Sequence, residues 1–400
     1  MVAKRIMLVE RKFLKLPILK KEFFWDFKGA KLLYEVCRFF IFPIIIFNYA
    51  LSWQRQISPR TDRNLFDIWF VSESIGCACG NFGFLIRTTD AGANWQDRSG
   101  VTNNWIDDMW FADSRIGYAV GEAGTILKTT DGGENWFLLS CGLNFNLYGV
   151  CFPDTDNGWI TGQGGIICHT SDGGITWSPQ NSGTTLYIFD IEFVNPDTGW
   201  ACGQNGWVYK TSNGGNNWTR LNIAGSDLYG LKCVSGTEIW VAGANGKIYR
   251  ISDFGNNVQS WQVSSGTLKA VEVKGNRIWV CGQSGTIVFS PNYGDTWIQQ
   301  TCPTNNYLDE IFFWDENRGW IVGMAGTILY TQNGGVGLIE NFGKPKANFP
   351  NIQFKGKKYT LWTSAGQKIQ APFNALPSGV YFITTDNFFQ PICHKVIIVR

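Results

Sequence analysis

Apolar residues between about residue 52 and residue 335 occur in short runs, and glycine-rich polar turns separate these runs. A Gly-x-x-Gly pair followed by an apolar run recurs with spacings of 41, 41, 41, 40, 39 and 41 residues, at Gly80/Gly83, Gly121/Gly124, Gly162/Gly165, Gly203/Gly206, Gly243/Gly246, Gly282/Gly285 and Gly323/Gly326. This period is typical of the four-stranded blade of a β-propeller. The copies predict an all-β fold, a seven-bladed β-propeller of four-stranded blades.

The second copy shows how one blade is divided into strands. Its apolar runs predict an inner strand a at 106–112, strand b at 117–121, strand c at 125–130 and an outer strand d at 136–139. Strand b carries Tyr118 in a position that other copies fill with Trp159, Trp200, Trp240, Trp279 and Trp320. Large aromatic side chains at one repeated position predict the apolar layers between blades.

A second motif, the Asp-box, is in phase with the first. An Asp or Asn is expected to cap the backbone N–H groups of the c–d turn, a glycine takes a positive φ, and a tryptophan anchors strand d. The motif has an insertion before its tryptophan in the fifth copy. The predicted Asp-box residues are Asp90, Trp95, Asp131, Trp136, Asp172, Trp177, Asn213, Trp218, Asp253, Trp261, Asn292 and Trp297.

The seventh copy is incomplete, because Asn333-Gly334-Gly335 is not followed by a tryptophan strand. The missing segment is found near the other end of the sequence, where Ser52-Trp53-Gln54-Arg55-Gln56 matches Asn94-Trp95-Gln96-Asp97-Arg98. We therefore predict that this N-terminal strand completes the last blade, which closes the ring and removes exposed sheet edges.

Charge divides the sequence into segments with different net charge. Residues 1–38 carry 10 Lys/Arg and 4 Asp/Glu, residues 39–335 carry 16 and 26, and residues 336–400 carry 8 and 2, so the net charges are +6, −10 and +6. An acidic body argues against nucleic-acid binding, which requires a basic surface. The predicted domains are 1–50, a signal peptide or anchor; 51–335, the propeller; and 336–400, a C-terminal β module.

Residues 1–50 have the pattern of an export signal. A basic stretch ends at Arg38, an apolar run covers 39–47, and Ala50 suits a cleavage site. The apolar run is shorter than the roughly 20 residues of a membrane-spanning helix, so we predict a cleaved signal peptide, with an uncleaved membrane anchor as the alternative. The protein is expected to be secreted or on the cell surface, or else periplasmic or membrane-anchored.

Cysteine and histidine positions predict structural roles. Cys79, Cys202 and Cys281 precede the first glycine of the repeat, where three other copies have Val120, Ala242 and Val322, so they are expected to be small core residues. Cys141 and Cys302 occupy one slot in distant copies and are expected to be too far apart to bond. The two histidines, His169 and His394, offer no triad or metal cluster. No metal or cofactor is predicted, since each Asp-box offers one acid and calcium takes about six to eight oxygens.

The copies, best preserved from Gly121 to Trp136 as Gly-x-x-Gly-Thr-Ile-x-x-Thr-x-Asp-Gly-Gly-x-x-Trp, resemble the photosystem II stability/assembly factor family of propellers. The resemblance covers about residues 52–335. It implies a non-enzymatic role as a protein-binding or assembly scaffold, because photosynthetic members help to assemble reaction-centre proteins. It leaves the partner, a protein or a glycan, unidentified.

The C-terminal segment breaks the repeat. Apolar runs predict strands at 352–354, 359–363, 379–384 and 394–399 in a small β-sandwich-like module. Trp362 to Ile369, Leu376 to Phe382 and the final Lys395 to Arg400 resemble the C-terminal sorting domain of type IX secretion. That resemblance implies the secretion machinery as a partner; a small structural β module is the alternative.

Asp-box turns also occur in sialidases, so a carbohydrate-binding or sialidase-like glycoside hydrolase propeller is the alternative function. A sialidase requires an arginine triad and a Tyr/Glu nucleophile pair on inner strands, and the predicted inner strands contain almost no arginine. No catalytic residue is predicted.

The predicted binding surface is the propeller face where the b–c turns and d–a loops meet, opposite the Asp-boxes. Amides beside aromatic side chains there suit a peptide or a glycan. Alternatively, the turns contain Asn and Gln only because of their backbone preferences. The candidates are Glu122, Gln163, Gln204, Asn205, Asn245 and Gln283 in the b–c turns, and Asn103, Asn104, Trp105, Asn144, Phe145, Asn146, Asn305, Asn306 and Tyr307 in the d–a loops.

Overall fold

The computed structural model describes residues 53–139 and 142–336 in full, and the backbone of four strands in the C-terminal segment. Its contacts divide the chain into two units, with the boundary between Asn341 and Phe342. The export-signal pattern, Cys141 and the predicted strand 352–354 lie outside the described residues. The predicted division at residues 50 and 335 stays a prediction.

Within its described residues the first unit contains seven antiparallel sheets, each of four strands in the order a-b-c-d. In the second blade the strands agree with the sequence prediction to within one residue at each end. The strands a, b, c and d are Leu65–Phe70, Gly76–Gly80, Leu85–Thr88 and Gln96–Asp97 in blade 1; Ile106–Phe111, Gly117–Gly121, Ile126–Thr129 and Phe137–Leu139 in blade 2; Leu147–Cys151, Gly158–Gly162, Ile167–Thr170 and Ser178–Gln180 in blade 3; Ile188–Phe193, Gly199–Gly203, Trp207–Thr211 and Thr219–Asn222 in blade 4; Leu228–Ser235, Glu238–Gly243, Lys247–Ser252 and Asn257–Gln262 in blade 5; Leu268–Lys274, Arg277–Gly282, Thr286–Ser290 and Ile298–Gln299 in blade 6; and Leu308–Phe313, Gly319–Gly323, Thr327–Thr331 and Gln54–Gln56 in blade 7.

The a strands form the innermost ring. Each a strand contacts the a strand of the next blade, and that of blade 7 contacts that of blade 1. The fourth strand of blade 7 comes from the N-terminal side of the sequence: Gln54 lies opposite Tyr330 and Gln56 opposite Ile328 in an antiparallel pairing. The predicted seven-bladed, four-stranded architecture is confirmed.

The Gly-x-x-Gly motif is required by the close approach of the d–a loop. At Gly121 a Cβ atom would lie 1.9 Å from the carbonyl oxygen of Trp105, and at Gly124, where φ is +71°, it would lie 2.1 Å from that of Leu143. Any side chain at either position would therefore push the d–a loop away from the b–c turn. The equivalent glycines of the other copies face the corresponding carbonyl oxygens, which explains why the pair recurs in every blade.

Aromatic residues fill the layers between blades, as predicted. Trp159 of blade 3 stacks on Phe193 of blade 4 with ring centroids 3.7 Å apart, and Trp320 of blade 7 stacks on Phe70 of blade 1 at the same distance. Tyr118, Trp159, Trp200, Trp240, Trp279 and Trp320 are all buried. The core is thus a set of radial layers between neighbouring sheets, and Cys79, Cys202 and Cys281 are buried free thiols within it, which confirms their predicted role.

The Asp-box turns have the predicted geometry in most blades. In blade 2, Asp131 Oδ1 accepts hydrogen bonds from Asn135 N at 2.9 Å and from Thr129 Oγ1 at 2.8 Å. The Asp-box tryptophan then packs edge-on against the last aromatic residue of strand a, as Trp136 does on Phe111 at 5.8 Å. The cap and the anchor together fix the entry of the chain into strand d.

The fifth Asp-box prediction was wrong at Asp253. Strand d of blade 5 starts at Asn257, which pairs with Ser252 and lies four residues after Asp253, whereas strand d of blade 2 starts at Phe137, six residues after Asp131. The N–H group that the cap would bind is therefore part of the sheet ladder. Asp253 instead has a positive φ of 52°, and its carboxylate accepts a hydrogen bond from the Asn256 side chain.

Trp53 occupies the tryptophan slot of the seventh Asp-box. It is fully buried and packs edge-on against Phe313 at 5.8 Å, the arrangement of Trp136 on Phe111. Its Nε1 donates to Gln300 Oε1 at 2.7 Å, and Gln300 Nε2 donates to the carbonyl oxygen of Gly334 at 3.0 Å. The incomplete motif at Asn333 thus receives its aromatic anchor from a residue 280 positions earlier in the sequence.

The second unit contains one sheet among its described residues. Its antiparallel strands Tyr359–Thr363, Lys368–Ile369, Gly379–Thr385 and Ile392–Ile398 lie in the spatial order second, first, third, fourth. Two of the predicted strands correspond closely to the first and third of these, and the last begins and ends slightly earlier than predicted. The sandwich-like arrangement stays a prediction.

No helix within the described residues has the length and apolar character needed to cross a lipid bilayer.

Candidate functional site

The propeller has two faces made by different turns. On one face, which we call the b–c face, each b–c turn is bonded to the d–a loop; for example, Glu122 N donates to the carbonyl oxygen of Trp105 at 2.9 Å. On the other face, the Asp-box face, each c–d turn is bonded to the a–b turn; for example, Gly132 N donates to the carbonyl oxygen of Arg115 at 2.9 Å. The predicted placement of the Asp-boxes opposite the b–c turns is confirmed.

The predicted candidates lie in the turns and loops of the b–c face, but most polar members hold the turns together. Asn104 Nδ2 donates to Thr125 Oγ1 at 2.9 Å, and Asn306 makes the same contact with Thr327 in blade 7. Gln283 Oε1 accepts the N–H of Thr267 at 3.2 Å. Asn205 and Asn245 occupy positive-φ positions, which asparagine tolerates better than most residues. The structural alternative for these amides is therefore favoured.

The aromatic candidates are different, because their side chains face solvent. Trp105 is 43% exposed and Phe145 is 49% exposed. Phe82, in the b–c turn of blade 1, is 52% exposed and lies 6.3 Å from Trp105, which also contacts Phe66 at 5.6 Å. Exposed aromatic side chains grouped in this way are typical of interaction surfaces.

Sequence reasoning missed a ring of residues at the mouth of the central channel. Every a strand has a register shift at its second residue, as between Ile106 and Asp108, so that this residue bulges from the ladder. These half-buried residues lie at the end of the strand that meets the b–c face. We call them the mouth ring: Phe66, Asp107, Tyr148, Phe189, Tyr229, Lys269 and Asp309.

The mouth ring has an aromatic part and a charged part. Phe189 stacks on Tyr229 at 5.4 Å and contacts Tyr148 at 5.8 Å. The Lys269 ammonium lies 4.8 Å from the centroid of the Tyr229 ring. Asp309 and Asp107 flank Phe66, since they belong to blades 7 and 2 on either side of blade 1.

Burial controls the protonation of the two mouth carboxylates. Desolvation raises the pKa of Asp107 to about 7; Glu122 and Asp309 raise it further, while Lys269 opposes the shift. Desolvation also raises the pKa of Asp309 to about 6, again opposed by Lys269. The Asp309 Oδ2 atom is buried and has no hydrogen-bond partner in the described part of the chain. A polar atom in that condition is costly unless something binds it.

Below the mouth, acidic side chains link the inner strands. Asp67 Oδ2 accepts the N–H of Met109 in the next blade at 2.6 Å, and Asp108 Oδ2 accepts that of Val150 in the blade after it, also at 2.6 Å. Asp190 accepts the N–H of Leu231 in the same way at 2.7 Å. These carboxylates satisfy N–H groups on the inner edges of blades 2, 3 and 5, so their first role is structural.

The same burial raises the pKa values of these channel acids. Desolvation raises the pKa of Asp67 to about 6 and that of Asp190 to about 7, and it raises those of Asp108 and Glu310 well above the usual range. The channel encloses a cavity of about 70 Å³, which is well below the roughly 300 Å³ of the smallest usual ligand pockets. This cavity is therefore too small for a substrate-sized molecule.

The described inner strands differ from those of a sialidase in their cations. None of the described a strands contains an arginine, and their cations are Lys232, Lys269 and Lys274. Lys232 is paired with Glu192 at 2.9 Å. Among the described residues no group of His, Cys, Asp or Glu side chains is arranged to hold a metal ion. His169 stacks on Trp159 at 4.5 Å, and its burial lowers its pKa.

The propeller is similar to solved structures over most of its length. It aligns with a structure described as YCF48 bound to D1 peptide with a TM-score of 0.60 and 22% identity, covering 70% of this chain and 94% of that one. YCF48 from Cyanidioschyzon merolae aligns with a TM-score of 0.59 and 20% identity, covering 70% and 98%. The WD40 propeller domain of Doa1 aligns with a TM-score of 0.58 at 12% identity, covering 71% and 96%. At these identities the likeness shows the fold.

Sequence comparison is more specific. No curated protein sequence matches this chain significantly. The family model described as photosynthesis system II assembly factor YCF48 matches residues 100–186, 176–265 and 250–332, which together cover more than half of the 400 residues. The chain therefore belongs to the YCF48 family of photosystem II assembly factors.

Proposed function

We propose that this protein is a non-enzymatic scaffold whose b–c face binds a peptide segment of a partner protein. The observation that carries the proposal is the group of solvent-exposed aromatic side chains on this face, Phe82, Trp105 and Phe145. Aromatic side chains bury a large area with little loss of conformational freedom and are enriched where proteins bind one another. A YCF48 structure bound to a D1 peptide supports a peptide as the kind of partner.

The interior supports the same proposal. The channel cavity is too small for a substrate, and its carboxylates are engaged with backbone N–H groups. The described inner strands lack the arginines that a sialidase needs for its substrate carboxylate. Binding at the surface is therefore a better use of this geometry than hydrolysis within it.

The test compares two exposed tryptophans on opposite faces. Trp105 lies on the b–c face and is 43% exposed, and Trp314 lies in an a–b turn of the Asp-box face and is 36% exposed. The full chain and the variants Trp105→Ala and Trp314→Ala are applied to a peptide microarray and a glycan array. We expect peptide binding by the full chain, a loss of about tenfold or more for Trp105→Ala, and no loss for Trp314→Ala. Binding to glycans alone would contradict the proposal and favour the carbohydrate-binding alternative.

We also propose that the N-terminal strand closes the ring in the working protein. Its support is the pairing of Gln54–Gln56 with Thr327–Thr331 and the burial of Trp53 against Phe313. In this arrangement the N-terminal strand covers the outer edge of strand c in blade 7 and holds the two ends of the propeller segment together within one sheet.

We further propose that the protein is exported. The support is the basic stretch followed by an apolar run in residues 1–50, together with the resemblance of the C-terminal segment to a secretion sorting domain. The test is fractionation of cells that produce the full chain, a variant without residues 1–50 or a variant without residues 336–400. Export of the first variant, or unchanged surface display of the second, would contradict the assignment of the respective segment.

A further inference from the structure

The mouth ring contains three charged residues, Asp107, Asp309 and Lys269. Asp107 and Asp309 flank Phe66, and Glu122 lies close enough to Asp107 to raise its pKa. The cation of the ring, Lys269, packs over Tyr229 and forms no ion pair with either aspartate among the described residues. This side of the mouth therefore combines an aromatic ring with two aspartates that form no ion pair within the described residues, while Glu122 Oε2 accepts the N–H of Trp105 at 3.3 Å.

The neighbouring surface extends the aromatic part outward. Trp105 contacts Phe66 at 5.6 Å and Phe82 at 6.3 Å, so the aromatic surface continues outward from the ring member that the two mouth aspartates flank. An aromatic face with carboxylates at its edge attracts a cation through the ring quadrupole and through charge together. A peptide side chain that carries a guanidinium or an ammonium group on an apolar stem fits both features.

We propose that this mouth binds a basic side chain of a partner peptide, seated over Phe66 between Asp107 and Asp309, with the adjoining peptide residues packed on Trp105 and Phe82. The inference rests on the proposed peptide-binding function and names the chemistry of the peptide. Charge complementarity selects this occupant: an acidic peptide would meet three carboxylates, and the two nearby cations are already packed on aromatic rings, Lys269 on Tyr229 and Arg63 on Phe82 at 4.7 Å. The buried Oδ2 of Asp309 would gain the donor that it lacks.

The test uses immobilised peptides of matched length and the full chain. The peptide sets combine arginine with tyrosine, glutamine with tyrosine, glutamate with tyrosine, and arginine with serine. We expect the arginine–tyrosine set to bind most tightly and replacement of arginine by glutamine to weaken binding by about tenfold or more. Loss of the tyrosines is expected to weaken it as well, because the aromatic contacts would be absent.

The variant pair distinguishes a local contact from general charge attraction. Asp107→Asn with Asp309→Asn removes both mouth carboxylates, and Asp197→Asn with Asp295→Asn makes the same charge change at exposed positions of the Asp-box face. Only the first pair is expected to lose the preference for arginine. Thermal unfolding of both pairs checks that the fold is retained, and carbodiimide coupling of a lysine-containing peptide is expected to attach it at Asp107 or Asp309.

A pH series distinguishes a binding role of Asp107 and Asp309 from a purely structural one. Asp309 and Asp107 have pKa values of about 6 and about 7, so binding of the arginine–tyrosine set is expected to weaken as the pH falls through this range, and the double mouth variant is expected to show a flat profile. The titratable groups that face them are Lys269, Glu122, Tyr148 and Tyr307, and the two aspartates also face each other. The inference would be overturned by equal binding of all peptide sets or by a preference for the acidic set. It would also be overturned if the carbodiimide coupled the aspartates to the protein's own lysines and not to the peptide. None of these outcomes would contradict peptide binding itself. Failure of the full chain to bind any peptide would contradict the proposed function itself.

Discussion

The Asp-box face and the b–c face use their exposed side chains differently. On the Asp-box face charged residues join neighbouring blades: Arg318 pairs with Glu73 of blade 1 at 2.6 Å, and Arg277 pairs with Glu316 of blade 7 at 3.5 Å. On the b–c face the ion pairs of the described residues are local ones around Asp62, and aromatic side chains face solvent instead. The charged side chains of the Asp-box face thus connect neighbouring blades, whereas the aromatic side chains of the b–c face are exposed and available for contact.

The Asp-box face also repeats more regularly. Its caps and tryptophan anchors recur in nearly every blade with nearly the same distances. The mouth ring at the b–c face has one residue from each blade, and its residue type varies among Phe, Asp, Tyr and Lys. Where the same residue type recurs in every blade, the turn or layer that it builds explains it. Where the residue type varies although the backbone geometry repeats, the side chain is free to serve binding.

The largest effect is expected where the Asp-box face is completed by a distant segment. Trp53→Ala should lower the free energy of unfolding by about 3–5 kcal/mol, the usual cost of removing a buried tryptophan, and deletion of residues 52–56 should lower it further. Arg55→Ala on the same strand is the control, because Arg55 is exposed. Denaturant unfolding measures both. Equal stability of the Trp53→Ala and Arg55→Ala proteins would contradict closure of the ring by this strand.

The fold was predictable because its signals are backbone requirements. Gly121 and Gly124 are fixed by carbonyl oxygens about 2 Å from any Cβ atom, and such a requirement appears in every copy of the sequence. The match of Trp53 to Trp95 was likewise visible, since both tryptophans fill the same slot. Asp253 misled the prediction because a shorter turn places the required N–H group in the sheet ladder, which residue identity does not reveal.

The candidate site was predictable only in part. Trp105 and Phe145 were recognised as loop aromatics, and the structure leaves both exposed. The mouth ring was missed because the second position of strand a holds four different residue types, Phe, Asp, Tyr and Lys, in the seven blades, so comparison of the copies removes the signal. Its members meet at the channel mouth because each strand a has a bulge at this position. A bulge is a property of strand pairing, which a single sequence does not show.

The next effect contrasts the acids of the channel with those of the Asp-boxes. The pKa values of Asp67 and Asp190 are raised to about 6 and about 7 by burial, so the folded state binds protons more tightly than the unfolded state. These groups therefore stabilise the fold increasingly as the pH falls from about 8 to about 5. Asp172, whose pKa is lowered to about 2 by hydrogen bonds to Thr176, acts oppositely: its stabilisation is present above the unfolded pKa of about 4 and is lost below it.

We thus expect a maximum of thermal stability near pH 5, with a transition midpoint several degrees above that at pH 8. Glu310→Gln should flatten the slope between these pH values, because the neutral side chain no longer titrates among Asp67, Asp190 and Glu272. Asp197→Asn, which is exposed on the Asp-box face, should leave the slope unchanged. Calorimetry over a pH series tests this, and stability that rises steadily from pH 5 to pH 8 would show that the channel acids are ionised in the folded protein.

The smallest effect separates a working Asp-box from a degenerate one on the same face. Asp131→Ala should lower the free energy of unfolding by about 1 kcal/mol, because the N–H of Asn135 and the hydroxyl of Thr129 lose their acceptor. Asp253→Ala should change it by less than about 0.5 kcal/mol, since the Asp253 carboxylate bonds only to the Asn256 side chain among the described residues. Chemical denaturation of the two variants compares the turns directly. If Asp253→Ala proved as costly as Asp131→Ala, the shorter turn of blade 5 would also need its carboxylate, and the capping hydrogen bond would not be what distinguishes the regular turns of the Asp-box face.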